Sequence, residues 1–270
     1  MLSAGGPSGI AHLGAIEVLR RENIPISCVV GTSMGAVIGS MYAVAPAADT
    51  TASFRRFTHE YERVTRAEAS GSGIFGALVG GIIGAATGGL GTIALGALGG
   101  GFLGASGTHV VEHRRFVQVL DRHLGHATIE GLPISFITMH QRRQDNGAGM
   151  ETSRSGSLAV AVGRSAANPF IFTELNLREM NDLDPGLDRL AAIPVSEACN
   201  AFPGARLITL TVMGYPPMLT QGQDCELVVV RENSDRVDPR SVMRAGPAFE
   251  RVVQSGRDAM EVRLRGYASP

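Results

Sequence analysis

The chain has no lysine, no tryptophan and only three cysteines, and aromatic residues make up 5% of it. With lysine absent, all 24 basic residues are arginine, and 25 acidic residues balance them to a net charge of -1. No basic stripe with interleaved aromatics appears, so a nucleic-acid partner is not expected. Cys28, Cys199 and Cys225 are far apart, odd in number and without CxxC spacing. Neither a disulfide framework nor a zinc site is indicated, and a reducing compartment is the default expectation. The opening Met1-Leu-Ser-Ala-Gly-Gly6 lacks a basic stretch followed by an apolar one, which argues against a cleaved signal peptide. A cytoplasmic or peripherally membrane-associated protein follows, with any export by a non-classical route.

Charge is also missing locally. Between Glu68 and Glu112 there is no Asp, Glu, Lys or Arg, while Gly76, Gly80, Gly84, Gly88, Gly96, Gly100 and Gly104 keep one spacing of four. On a helix these glycines share a face, forming a groove where another backbone approaches closely, as in glycine-zipper association. Ile74, Leu78, Ile82, Ile83, Leu95, Leu98 and Phe102 occupy the other faces. The run has the length for two short membrane passes with a turn near Thr87 to Thr92. Interior glycines also cost helix stability in water, about 1 kcal/mol each relative to alanine. A self-packed loop, or a hairpin on the protein's own surface or on a second copy, therefore remains an open reading. Lipid contact through residues 71–107 is the expectation carried forward, within an insertion at 69–111 of an otherwise single catalytic domain over 1–270. The oligomeric state is left open.

What the chain does contain is order at its N-terminus. Gly31-Thr-Ser33-Met-Gly35 follows the apolar run Ile26, Cys28, Val29, Val30 and leads into the helical pattern Ala36, Val37, Ile38, Met41. A GxSxG between a strand and a helix is a nucleophile elbow, in which a serine sits on a turn so tight that neighbouring backbone tolerates only glycine. Gly31 and Gly35 are its elbow glycines and Ser33 its nucleophile. Strand 1 is very short, or lacks upstream residues, because only Met1 and Leu2 precede the glycines. A helix is predicted over 9–21 and a strand over 25–31, and alternation of this kind gives a parallel sheet with crossover helices. Further helices are predicted over 112–124, 157–167 and 240–267, and strands over 134–139, 205–213 and 226–230, with a polar turn over 141–150.

An activated serine needs a base and donors for an oxyanion. Gly5 and Gly6, in the turn after strand 1, and the Met34 N–H just past the nucleophile supply the donors. No histidine completes a serine, acid, histidine order, because the last one is His140. His12 reads as a packing or capping residue, and His109, His113, His123 and His126 as solvated.

Leu2-Ser-Ala-Gly-Gly-Pro-Ser-Gly-Ile-Ala-His-Leu-Gly14 and Val30-Gly-Thr-Ser-Met-Gly-Ala-Val-Ile-Gly-Ser-Met-Tyr-Ala43 together resemble the N-terminal signature of bacterial patatin-like phospholipases. Thr128-Ile-Glu-Gly-Leu-Pro133, Gly156-Ser-Leu-Ala-Val-Ala-Val-Gly-Arg-Ser-Ala-Ala167 and Pro169-Phe-Ile-Phe172 follow in family order. The resemblance covers the chain apart from the uncharged insertion. It implies a three-layer α/β sandwich with a mostly parallel central sheet and helices on both faces. It also implies a Ser-Asp dyad that hydrolyses acyl esters of lipids, with membrane lipid or phospholipid as substrate and no metal or cofactor. Counting from Phe172 assigns the dyad aspartate to Asp184 in Leu183-Asp-Pro-Gly186, with Asp182 and Asp188 as competitors. The chain departs from the family pattern at Ala4, Pro7, Ser8 and Pro185, and has Ala191-Ala192 where an asparagine is usual. These departures define the alternative: a catalytically weak or inactive scaffold acting as a membrane-interaction protein through its glycine-zipper segment.

Overall fold

A computed structural model of the protein describes residues 1–68, 112–144, 147–168, 172, 182–187, 192–212, 214, 217, 224–232 and 246–268. The uncharged run at 69–111 and Asp188 lie outside the described residues.

The chain lays down α1 (Ala11–Arg21), β1 (Cys28–Gly31), α2 (Met34–Val44), α3 (Thr50–Glu68) and α4 (His113–His123). It continues through β2 (Ser135–Gln144), β3 (Gly147–Ser153), α5 (Leu158–Ser165), the two-residue β4 (Asp182–Leu183) and α6 (Val195–Ala201). The last elements are β5 (Arg206–Thr211), β6 (Glu226–Arg231) and α7 (Pro247–Ala268). Strand 1 is reduced to Leu2. It bridges Gly31 on one side and Leu210 on the other, both in parallel, and so joins the two sheets into one order, β3-β2-β1-Leu2-β5-β6. Its N–H donates to Val30 O and its carbonyl accepts from Thr32, so this single residue fixes the height at which β1 ends.

Side chains alternate across the sheet as the strand period requires. Val29 and Phe136 face a large cluster built from α1 to α5 and α7, while Leu210 and Val230 meet Ala15, Val18 and Met260 of α1 and α7. Val30, Ile137, Met139 and Leu207 point the other way, onto Val195, Ala198 and Cys199 of α6. Helices therefore cover both faces, giving three layers. The fold is α/β with a mostly parallel sheet, and β3 is its antiparallel edge.

Two expectations change. The polar turn predicted over 141–150 is instead a hairpin: β2 runs on to Gln144 and pairs antiparallel with β3 from Thr138↔Ser153 to Gln144↔Gly147. Polarity there did not mark a break in the strand: Gln141 is buried and Arg142 half-buried within the pairing. The cysteines were expected to be unpaired, yet Cys199 on α6 and Cys225 before β6 are disulfide-bonded, with Cα atoms 5.7 Å apart. Residues 26 apart are adjacent because α6 folds back over the β5-β6 pair, a tertiary fact with no spacing signature. Cys28 is free.

Candidate active site

The parallel strands end at one edge, and in such sheets sites form there. At the end of β1 the chain turns sharply into α2. Ser33 takes φ 51° and ψ -122°, a conformation that side-chain-bearing residues rarely adopt. A Cβ on Gly31 would come within 2.6 Å of Gly35 O, and one on Gly35 would overlap Leu2 O. Both elbow glycines are thus required by close backbone approach. Thr32 Oγ1 donates to Ala192 O at 2.8 Å, and Thr138 Oγ1 donates to Gly31 O at 3.0 Å, fixing the turn to the chain on either side.

The register of β2 explains how a distant aspartate reaches the serine. β3 occupies one edge of β2, so β1 and β4 must share the other. β1 pairs with Ser135 to Thr138, and β4 enters antiparallel at Gln141 and Arg142, immediately beyond the point where β1 leaves the sheet. Asp184, the next residue after β4, emerges beside the elbow. Ser33 Oγ donates to Asp184 Oδ2 at 2.8 Å, and Gly186 N–H donates to Oδ1 at 2.7 Å. Pro185 opens a 3-10 turn (Pro185–Leu187), where its missing N–H leaves nothing unpaired. Asp184 is buried, and burial pushes its carboxyl up to about 6, against the opposing hydrogen bonds from Gly186, Ser33 and the Asn168 side chain. A carboxylate so placed accepts a proton near neutral pH more readily than an ordinary aspartate.

The competing Asp182 is turned elsewhere: its carboxylate lies 3.3 Å from both Arg142 Nε and Arg164 Nε, and its Oδ1 3.3 Å from the buried His140 Nε2.

The Gly-rich turn lies against the elbow. Gly6 has φ 48° and opens a 3-10 turn (Gly6–Ile10) with Pro7 in its first turn. A Cβ on Gly9 would sit 2.6 Å from Met34 Cγ, and one on Gly5 would overlap Val212. Met34 opens α2, where first-turn N–H groups have no partner within the helix and the dipole favours negative charge. Gly5 thus lies against Gly9 and Gly9 against Met34, which sets the Gly-rich turn beside the start of α2.

The histidines divide. His12 is buried, donates Nε2–H to Ser3 O at 2.9 Å and is lowered to about 4 by burial, so it ties α1 to the Gly-rich turn as an uncharged group. His126 is exposed beside Asp121. The expected solvation of His113 and His123 is corrected: His113 donates to Gly163 O at 2.8 Å and stands edge-on to Phe172, and the half-buried His123 pairs with Ser53 Oγ at 3.0 Å. Their helix packs a face that its charge content concealed. Among the described residues no cluster of three His, Cys, Asp or Glu side chains could hold a metal ion.

Sequence reasoning left Ser165 and Asn168 without a role, although both lie in the stretch read as a helix and its exit. Ser33 N–H donates to Ser165 Oγ at 3.0 Å, and Asn168 hydrogen-bonds Asp184.

A sequence profile described as Patatin-like phospholipase matches residues 1–190. The chain belongs to this family. It is 48% identical over 46 residues to the patatin-like phospholipase domain-containing protein ZK370.4 of Caenorhabditis elegans, covering 17% of this chain and 3% of that protein. It is 51% identical over 43 residues to lysophospholipase nte1 of Emericella nidulans, covering 16% of this chain and 3% of that protein. The matched stretches thus span a small fraction of these relatives' length. A crystal structure of VipD from Legionella pneumophila overlays on 98% of this chain and 66% of its own, with 14% identity and a TM-score of 0.41.

Proposed function

We propose that this patatin-like protein is a serine hydrolase that cleaves acyl esters of phospholipids or lysophospholipids through a Ser33-Asp184 dyad. The observation that carries the reading is the 2.8 Å hydrogen bond from Ser33 Oγ to the buried Asp184 carboxylate. Asp184 takes the Ser33 proton as Oγ attacks the acyl carbonyl, and the N–H groups of Gly5, Gly6 and Met34 receive the oxyanion. The proton then passes to the leaving alcohol, and water, deprotonated by Asp184, releases the fatty acid from the acyl-enzyme. Membership of a phospholipase family and the lysophospholipase name of one relative favour a lipid ester over other acyl esters. The reading needs no metal or cofactor. Among the described residues no helix is long and apolar enough to cross a membrane. Lipid contact is assigned to the uncharged run at 71–107 on its sequence pattern alone.

The experiment is hydrolysis of a short-chain acyl ester and labelling by a fluorophosphonate. Wild-type protein should turn over and label; Ser33→Ala should do neither. Asp184→Asn should lower kcat about 10²- to 10⁴-fold, the range for loss of a general base. Full activity in Ser33→Ala sinks the assignment, and an unlabelled, inactive wild type favours the non-catalytic scaffold. Liposome flotation with and without residues 71–107 tests lipid contact, and equal flotation of both forms removes it.

A further inference from the structure

We propose that Ser165 is a positioning residue for the nucleophile, holding the Ser33 backbone in its strained conformation; the proposal rests on the reading of Ser33 and Asp184 as the reacting pair. Ser33 has φ 51°, and a side-chain-bearing residue stays there only when its surroundings over-determine it. Its N–H precedes α2, is buried, and requires a partner outside the helix. Ser165 Oγ is that partner at 3.0 Å.

The direction of the contact is forced. A serine hydroxyl has one proton and two lone pairs. The Ser165 proton goes to Met139 O on β2 at 2.6 Å, so a lone pair is left for the Ser33 N–H. Ser165 is fully buried, and water has no access to replace it. The elbow is thereby tied through one side chain to the strand that also carries β4 and sets the height of Asp184. The same short stretch reaches the other half of the dyad: Ala167 O accepts the Asp184 N–H at 3.0 Å, and the Asn168 side chain hydrogen-bonds the Asp184 carboxylate. The exit of α5 thus holds the serine at one end and the aspartate at the other. One consequence is that the Ser33 N–H is already engaged and is not a donor to the oxyanion. That role stays with Met34 and the Gly-rich turn.

The test compares Ser165→Thr with Ser165→Val, which are nearly isosteric and differ by the hydroxyl, so a packing fault common to both cancels. Ester kcat and KM, the second-order rate of fluorophosphonate labelling and the melting temperature are measured for each. The expectation is that the Val variant loses about tenfold to a hundredfold in kcat and in labelling rate, the scale of a misplaced reacting group, with KM unchanged, while Thr retains most of both. Equal kcat and labelling in the two variants overturns the proposal. So does a loss in Val that appears only as a raised KM. Ser33→Ala in the same assay separates the two readings. Labelling that survives Ser33→Ala removes the nucleophile assignment and this proposal with it, whereas labelling that needs Ser33 but is indifferent to the residue-165 hydroxyl removes only the proposal.

Discussion

Ala4 and Gly186 face each other across the candidate site: a Cβ on Gly186 would lie 3.0 Å from the Ala4 Cβ and 3.0 Å from Asp184 Oδ1. The departure at Ala4, where the family pattern has glycine, is therefore accommodated by the glycine opposite. Gly186→Ala should push the carboxylate by a few tenths of an ångström and lower kcat about tenfold, below the hundredfold of a 1 Å misplacement. Short-chain ester kinetics check it, and a kcat equal to wild type would show that the Ala4 contact yields instead.

As the base of the proposed dyad, Asp184 should give hydrolysis a pH dependence. With the folded carboxyl at about 6, kcat/KM should rise with pH through that value as the base ionises. The stability effect has the opposite sign. A carboxyl raised above its ordinary 3.8 favours the protonated folded state, so its stabilising contribution is present below pH 4 and lost as pH rises to 6. At neutral pH the ionised, buried group costs about 3 kcal/mol, from roughly two pKa units. Asp184→Asn should therefore melt higher than wild type at pH 8 while being nearly inactive. A lower melting temperature at pH 8 would refute this linkage.

Two glycines outside the uncharged run of sequence hold the framework together. A Cβ on Gly14 of α1 would overlap Val253 O and lie 2.8 Å from Arg257 N, and a Cβ on Gly256 of α7 would overlap Ala11 O. Helix propensity alone predicts that Gly→Ala at either position stabilises by about 1 kcal/mol. Backbone overlap predicts the reverse, a loss of up to about 3 kcal/mol or more, which corresponds to roughly 6–12 °C in melting temperature. The overlap is with backbone on both helices and cannot be relieved by a rotamer change, so it should win. Thermal melts of Gly14→Ala and Gly256→Ala decide the sign.

How far the sequence revealed the site follows from the range of its interactions. Ser33, Gly31 and Gly35 form a local turn, and local geometry writes itself into consecutive residues. Asp184 became visible only through the family register, since Asp-Pro-Gly alone reads as an ordinary turn, and it meets Ser33 through the pairing of β4 with β2 across 40 residues of chain. Ser165 and the Ala192 carbonyl act on the elbow, and Asn168 on Asp184, from other elements. Each is a common residue whose role exists only in tertiary structure. The β2-β3 hairpin was obscured for a different reason: Gln141, Arg142, Arg143 and Gln144 are consecutive polar residues, so hydrophobic alternation fades where pairing with the edge strand β3 continues.

The Cys199-Cys225 disulfide links the framework to the site. Cys199 lies on α6, which starts three residues after Ala192, whose carbonyl accepts from both Thr32 Oγ1 and Ala4 N–H. Closing a loop of this length restricts the unfolded chain by about 3 kcal/mol, so Cys199→Ser with Cys225→Ser should lower the melting temperature of the oxidised protein by roughly 6–12 °C. Reductant should lower the wild type equally and leave the double variant unchanged. Cys28→Ser, which breaks no disulfide, should respond to reductant as the wild type does. Loosening α6 also frees the Ala192 support of the elbow, so kcat should fall modestly in the double variant, by less than the effect of removing the Ser165 hydroxyl, because Thr138 and Ser165 still hold the turn to β2. A wild-type melting temperature indifferent to reductant would mean that the two cysteines are not paired in solution and would remove the link.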